Sequence, residues 1–254
     1  MHRVLLLGGT IEARQLAGML ARRTGVVVTL SLAGRTTHPA AQPVPVRIGG
    51  FGGENGLAAY LRDERIDLLI DATHPYAVRI STNAACAAQR AGVRLLALRR
   101  PPWRPVTGDR WIAVADVEEA VRALEAVPRR VFLALGRKEI GAFARAPQHR
   151  YLIRSVDPVE TKLAVPQAAY LVDRGPFSED EERALLAGHS IEFVVAKNSG
   201  GTATYGKIAA ARALGISVVL LDRPPLPSVE SVETVAAAIG WFDHFLASDI
   251  ALGV

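Results

Sequence analysis

Gly8-Gly9-Thr10 stands between the apolar run Val4–Leu7 and the helix-like start Ile11-Glu12-Ala13. Two glycines allow a tight turn and a close backbone approach. A helix beginning there presents free N–H groups and the positive end of its dipole to a phosphate. Thr10 can cap that helix or offer its hydroxyl to the phosphate, and Glu12 lies in the first turn. The full Gly-x-Gly-x-x-Gly fingerprint is not met, because Thr10 and Ala13 occupy the later glycine positions. A capped turn without a ligand would look the same. The next apolar run ends in Ser31-Leu32-Ala33-Gly34-Arg35-Thr36-Thr37. It has no carboxylate to hold ribose hydroxyls but does have an arginine, which can grip a 2′-phosphate through two hydrogen bonds. The expected cofactor is therefore NADPH rather than NADH.

Three further clusters follow apolar runs. Asp71-Ala72-Thr73-His74-Pro75-Tyr76-Ala77 gathers hydrogen-bonding side chains and an aromatic ring that can lie against a nicotinamide or a macrocycle. Lys197-Asn198-Ser199-Gly200-Gly201-Thr202-Ala203-Thr204 offers an ammonium, an amide, hydroxyls and bare backbone, with Lys207 one helical turn on. Gly136-Arg137-Lys138 adds two cations, and Arg154 ends another run. Such groups suit carboxylates or phosphates. No Tyr is followed by Lys four residues later, which argues against the acid pair of short-chain dehydrogenases.

The elements that must position these clusters alternate between strands and helices. Strands are expected at 3–7, 26–32, 44–48, 67–72 and 93–98, with helices at 12–22, 54–63 and 77–90. Three prolines in residues 101–105 mark a break. Beyond it, strands are expected at 111–114, 131–135, 150–155, 170–172, 192–196 and 217–221. Helices are expected at 116–126, 138–144, 179–187, 202–214 and 232–246, and Ser178 with Glu181 fits a capping box. The fold class is thus α/β, with two Rossmann-like parallel-sheet domains facing a cleft. The division is 1–100 for the dinucleotide, 101–109 as a Pro-rich linker, and 110–254 for the substrate. Ala-Gly-Val-Arg-Leu-Leu-Ala-Leu-Arg-Arg-Pro-Pro at 91–102 parallels Leu-Gly-Ile-Ser-Val-Val-Leu-Leu-Asp-Arg-Pro-Pro at 214–225, suggesting two related halves.

The 254 residues carry a net charge of +5, which favours an anionic partner. No Lys/Arg-rich run or zinc spacing marks a nucleic-acid module. The one cysteine, Cys86, reads as a small buried filler, and no metal site is expected from the six histidines. No charged leader precedes the first strand, and no apolar run approaches the roughly 20 residues of a membrane span, so a cytoplasmic monomer or small homo-oligomer is expected.

In order along nearly the whole chain, the motifs resemble those of the precorrin-6A reductase family, also found as cobalt-precorrin-6A reductase. The resemblance rests on Gly8-Gly9-Thr10-x-Glu12-x-Arg14, Asp71–Ala77, Gly136-Arg137, Lys197–Gly201 with Thr204 and Lys207, Ala209–Arg212 with Leu214-Gly215, and Arg223-Pro224. It implies NADPH-dependent reduction of one double bond in a polyanionic tetrapyrrole. Gly8, Gly9, Thr10, Glu12, Arg35 and Thr73 would then serve the dinucleotide. Arg137, Lys138, Lys197, Asn198, Ser199, Gly200, Gly201, Thr204 and Lys207 would hold substrate carboxylates. Asp71, His74, Tyr76 or a bound water would supply the proton. Two competing readings are a nucleotide-sugar glycosyltransferase with two Rossmann-like halves and a non-enzymatic NADPH-binding sensor. The first predicts no NADPH affinity, the second no turnover.

Overall fold

The computed structural model describes residues 1–34 and 40–252, so Arg35, Thr36 and Thr37 lie outside the described residues. The chain divides into two units, Met1–Pro101 together with Pro224 onward, and Pro102–Arg223.

The first unit begins with β1 (His2–Leu7), α1 (Ile11–Leu20), β2 (Val26–Leu32), β3 (Val46–Ile48), α2 (Gly53–Asp63), β4 (Leu68–Asp71), α3 (Val78–Ala91) and β5 (Arg94–Leu98). The second unit holds β6 (Trp111–Val114), α4 (Val117–Ala123), β7 (Arg130–Ala134) and α5 (Arg137–Ile140), which runs into a 3-10 turn at Gly141–Arg145. It continues with β8 (Arg150–Ser155), β9 (Ala168–Val172), α6 (Glu179–Gly188), β10 (Phe193–Lys197), α7 (Gly206–Leu214) and β11 (Ser217–Leu221). The chain then returns to the first unit as β12 (Ser231–Val232) and α8 (Val235–Leu252).

The period of two along β1 explains the layering of the first unit. Val4 and Leu6 enter one core with Leu16 and Leu20 of α1 and Phe242 and Phe245 of α8. Leu5 and Leu7 enter the opposite core with Leu57 and Leu61 of α2 and Ala84, Ala87 and Ala88 of α3. A strand covered on both faces must be apolar throughout, as the run Val4–Leu7 is. In the second unit Phe132, Val194 and Ala196 pack with Leu186 of α6 and with Ile208 and Ala211 of α7.

Both six-stranded sheets are parallel throughout. Read from one edge they run β3-β2-β1-β4-β5-β12 and β9-β8-β7-β10-β11-β6. Each is the doubly wound order 3-2-1-4-5-6. In each sheet the sixth strand comes from the segment that follows the other unit's fifth strand. The chain crosses between Pro101 and Pro102 and again between Arg223 and Pro224, both times inside an Arg-Pro-Pro sequence.

This exchange corrects the expected division. Residues 224–254 do not continue the second domain, because β12 pairs with β5 and the apolar face of α8 covers α1. Nor is the whole 101–109 stretch a linker: Trp103 is buried and packs in the second unit's core. The α7 helix begins at Gly206 rather than residue 202, and the residues before it form a turn. Cys86 is a free, half-buried thiol on α3. Among the described residues no helix is long and apolar enough to cross a membrane.

Candidate functional site

In a parallel sheet every strand delivers its following loop to the same edge. In the first unit β1, β4 and β5 deliver Gly8–Thr10, Ala72–Ala77 and Arg99-Arg100 to that edge. A Cβ on Gly8 would come within 2.5 Å of the Leu30 side chain, and Gly9 has a φ of 111° with open space around it. The turn surface is therefore bare backbone. Thr10 is the N-cap of α1, its hydroxyl accepting from the Ala13 N–H at 3.0 Å. The same hydroxyl donates to the Ala72 carbonyl at 2.9 Å, which binds the first turn to the end of β4. With that proton committed, an anion here would be met by backbone N–H groups rather than by the hydroxyl. Those of Gly9, Ile11 and Glu12 have no acceptor among the described residues. Glu12 would repel an anion, but Arg100 meets its carboxylate at 2.5 Å and offsets the charge. These residues fit a pyrophosphate, and Arg35, expected to read the 2′-phosphate, lies outside the described residues.

Asp71 is buried at the end of β4. Its Oδ1 accepts from the Thr73 backbone N–H at 3.1 Å and from the Thr73 hydroxyl at 2.6 Å. The carboxylate thus folds the loop locally rather than capping α3, whose N-cap is Ala77. The His74 Nδ1 accepts the Tyr76 backbone N–H at 3.3 Å. A ring nitrogen that accepts is unprotonated, so in the neutral ring the proton sits on Nε2. The two rings lie side by side, with centroids 5.6 Å apart.

The corresponding edge of the second unit carries Gly136–Lys138, Asp157 and Lys197–Thr204, after β7, β8 and β10. Lys138 is exposed, and Arg137 lies 3.9 Å from the buried Asp157 carboxylate. The Lys197 ammonium contacts Glu139 at 2.7 Å. Asn198 clasps the backbone of Trp103 at two points: Oδ1 accepts from its N–H at 2.8 Å, and Nδ2 donates to its carbonyl at 3.1 Å. Gly200 and Gly201 have φ of 67° and 70°, a left-handed pair that favours glycine.

Two cations expected to face an anionic ligand, Arg154 and Lys207, turn inward instead. Arg154 is buried against Glu182, at 2.6 Å, with its guanidinium 3.7 Å from the centre of the Phe177 ring. Lys207 is 5% exposed and donates to the Thr204 carbonyl at 2.5 Å. Burial pushes its ammonium down to about 8, against an opposing pull from Glu182 and a further push from Arg154. Helical spacing alone gave no sign that a lysine so near a glycine loop would face the core. Sequence reasoning also missed Arg100, Trp103 and Glu139. Glu139 had a signal, since it follows the two cations of the Gly-Arg-Lys cluster directly.

A family model described as Precorrin-6x reductase CbiJ/CobK matches residues 3–243. A Sinorhizobium protein named Precorrin-6A reductase is 56% identical over 245 residues, covering 96% of this chain and 94% of its own. A protein of the same name from Rhodobacter capsulatus is 48% identical, covering 96% of this chain and 97% of its own. A solved structure titled CobK precorrin-6A reductase superposes with a TM-score of 0.92 at 47% identity, covering 96% of this chain and 97% of that one.

Proposed function

Because the chain belongs to the precorrin-6x reductase CbiJ/CobK family, we propose that it reduces one macrocycle double bond of precorrin-6A, with NADPH as donor, in cobalamin biosynthesis. The observation that carries this reading is the 56% identity, over 96% of this chain, to a protein named for that activity. The first unit is read as the dinucleotide site. The bare turn at Gly8 and Gly9 and the α1 N–H groups would hold the pyrophosphate, with Thr10 fixing the turn and Arg100 offsetting Glu12. Arg35 would take the 2′-phosphate, and Thr73, held by Asp71, would border the nicotinamide.

The second unit is read as the macrocycle site. Arg137, Lys138 and Lys197 would meet carboxylates of a polyanionic tetrapyrrole, assisted by the backbone and side chains of Asn198, Ser199, Gly200, Gly201 and Thr204. Lys207 sits beneath that loop. NADPH when bound supplies a hydride to one carbon of the double bond, and a proton must reach its neighbour. His74, once protonated on both ring nitrogens, the Tyr76 hydroxyl and a bound water are the donors this reading offers. Asp71 orients the loop that carries the two side chains. The protein's part is to fix geometry and to exclude water. The reading places the enzyme in the cytoplasm, alongside the NADPH pool.

The test is titration of NADPH and NADH against wild type and Arg35→Ala. Wild type should prefer NADPH, and the variant should lose most of that preference. Equal affinities in wild type would remove Arg35 from the account.

A further inference from the structure

The loop Lys197–Thr204 is held from below by its carbonyl groups. Arg223 donates to the Asn198 carbonyl at 2.8 Å through Nε and to the Ser199 carbonyl at 3.0 Å through Nη2. The Trp103 indole N–H donates to the Gly201 carbonyl at 2.7 Å. The Lys207 ammonium donates to the Thr204 carbonyl at 2.5 Å. The backbone N–H groups of Ser199 and Tyr205 take the carbonyls of Lys197 and Thr202 at 2.7 and 3.1 Å. The N–H groups of Gly200, Gly201, Thr202, Ala203 and Thr204 have no acceptor among the described residues. A loop whose acceptors are consumed by donors beneath it and whose donors are left over is arranged for an anion.

Two of the tethers belong to one device. The face of the Trp103 indole lies 5.3 Å from the Lys207 ammonium, and its edge meets the Tyr205 ring at 5.7 Å between centroids. The charged groups around Lys207 are Arg154 of β8 and Glu182 of α6, both buried. One carboxylate among two cations leaves a surplus positive charge in a water-poor region below the loop. The second oxygen of Glu182 has no hydrogen-bond partner among the described residues. Such an arrangement is costly for folding, and it raises the electrostatic potential under the residues above.

We propose that Trp103 and Lys207 form a clamp that presets the Lys197–Thr204 loop for a substrate carboxylate, acting as positioning residues rather than as ligands. The inference rests on reading that loop as part of the macrocycle site. It gives a function to the one tryptophan of the Pro-rich crossover. It also gives one to a buried lysine that packing alone would replace by a methionine.

The test uses full-length Trp103→Phe, Lys207→Met and Lys197→Met with precorrin-6A and NADPH. Trp103→Phe keeps the ring and loses the indole N–H. Lys207→Met keeps the stem and loses the charge. Each should raise the KM for the macrocycle about tenfold, the effect of roughly one buried hydrogen bond. The kcat should change less than about threefold, and the affinity for NADPH should stay at the wild-type value. In wild type the macrocycle KM should climb between pH 7 and 9 as Lys207 loses its proton, and that climb should vanish in Lys207→Met. A general loss of structure would move NADPH affinity as well. Wild-type KM in both clamp variants, with a raised KM in Lys197→Met, overturns the clamp and leaves the loop as the macrocycle site. Wild-type KM in all three overturns the loop reading, and the clamp with it. If Lys207→Met fails to fold, Trp103→Phe decides the matter alone.

Discussion

Replacing Thr10 by Val removes one hydroxyl while keeping the side chain's shape, and its cost follows from two hydrogen bonds. The first is the cap on α1, accepted from the Ala13 N–H at 3.0 Å; loss of a Thr cap costs about 1 kcal/mol. The second is the bond to the Ala72 carbonyl at 2.9 Å, in a half-buried position. Its loss leaves that carbonyl unpaired, at a further ~1–2 kcal/mol. The expected destabilisation is therefore about 2–3 kcal/mol. Thr10→Ser retains the oxygen and should cost well under half of that. Urea unfolding followed by circular dichroism measures both variants. The bond to Ala72 also ties the expected phosphate turn to the loop of Thr73 and His74, so NADPH affinity should fall in Thr10→Val and recover in Thr10→Ser. A Thr10→Val protein as stable as Thr10→Ser would refute the reasoning, because no shape change remains to compensate for two lost bonds.

Arg100→Gln should leave the Glu12 carboxylate uncompensated beside the turn, weakening NADPH and NADH alike by about tenfold in calorimetric titration. Loss of only the NADPH preference would instead assign Arg100 to the 2′-phosphate. Glu182→Gln strands two buried cations and should cost about 3–5 kcal/mol, visible as a melting temperature lowered by roughly 10 °C or more; a shift under ~2 °C would show the Arg154 pair to be dispensable. Lys207 has a sign of its own. Its folded value, about 8, lies below its ordinary 10.5, so the charged form opposes folding. That cost is present in full below pH 8 and is relieved as pH rises from 8 toward 10.5, by about 3 kcal/mol in total. Lys207→Met should therefore be the more stable protein at pH 7, with an advantage that shrinks by pH 9; a variant less stable at pH 7 would contradict this.

Much of this was legible in the residues. The unbroken apolar run Val4–Leu7 announced a strand covered on both faces, and Thr10 and Ser178 announced their helix starts. The strand-end clusters were visible because a parallel sheet places its loops at one edge. What was hidden depended on pairings distant in sequence. Ser231–Val232 is too short to carry a strand pattern, and only its pairing with β5 makes it one. Without it, the second Arg-Pro-Pro sequence, at 223–225, did not announce that the chain was crossing back. Trp103 looked like part of a proline-stiffened connection, since its partners lie about a hundred residues away at Asn198 and Gly201. Glu182 offered a clue to the buried charges. It shares a helical face with Leu185 and Leu186, where an acidic residue needs a cation, and Arg154 and Lys207 are those cations.

The central proposal is that a hydride passes from NADPH to the macrocycle of precorrin-6A. It is tested most directly by single-turnover reaction of precorrin-6A with NADPH deuterated at the nicotinamide hydride position. The account predicts one deuterium on one ring carbon and one NADPH oxidised for each macrocycle reduced, with the rate collapsing in Thr10→Val and Lys197→Met alike. Reduced product without deuterium, or deuterium transfer indifferent to either substitution, would contradict it.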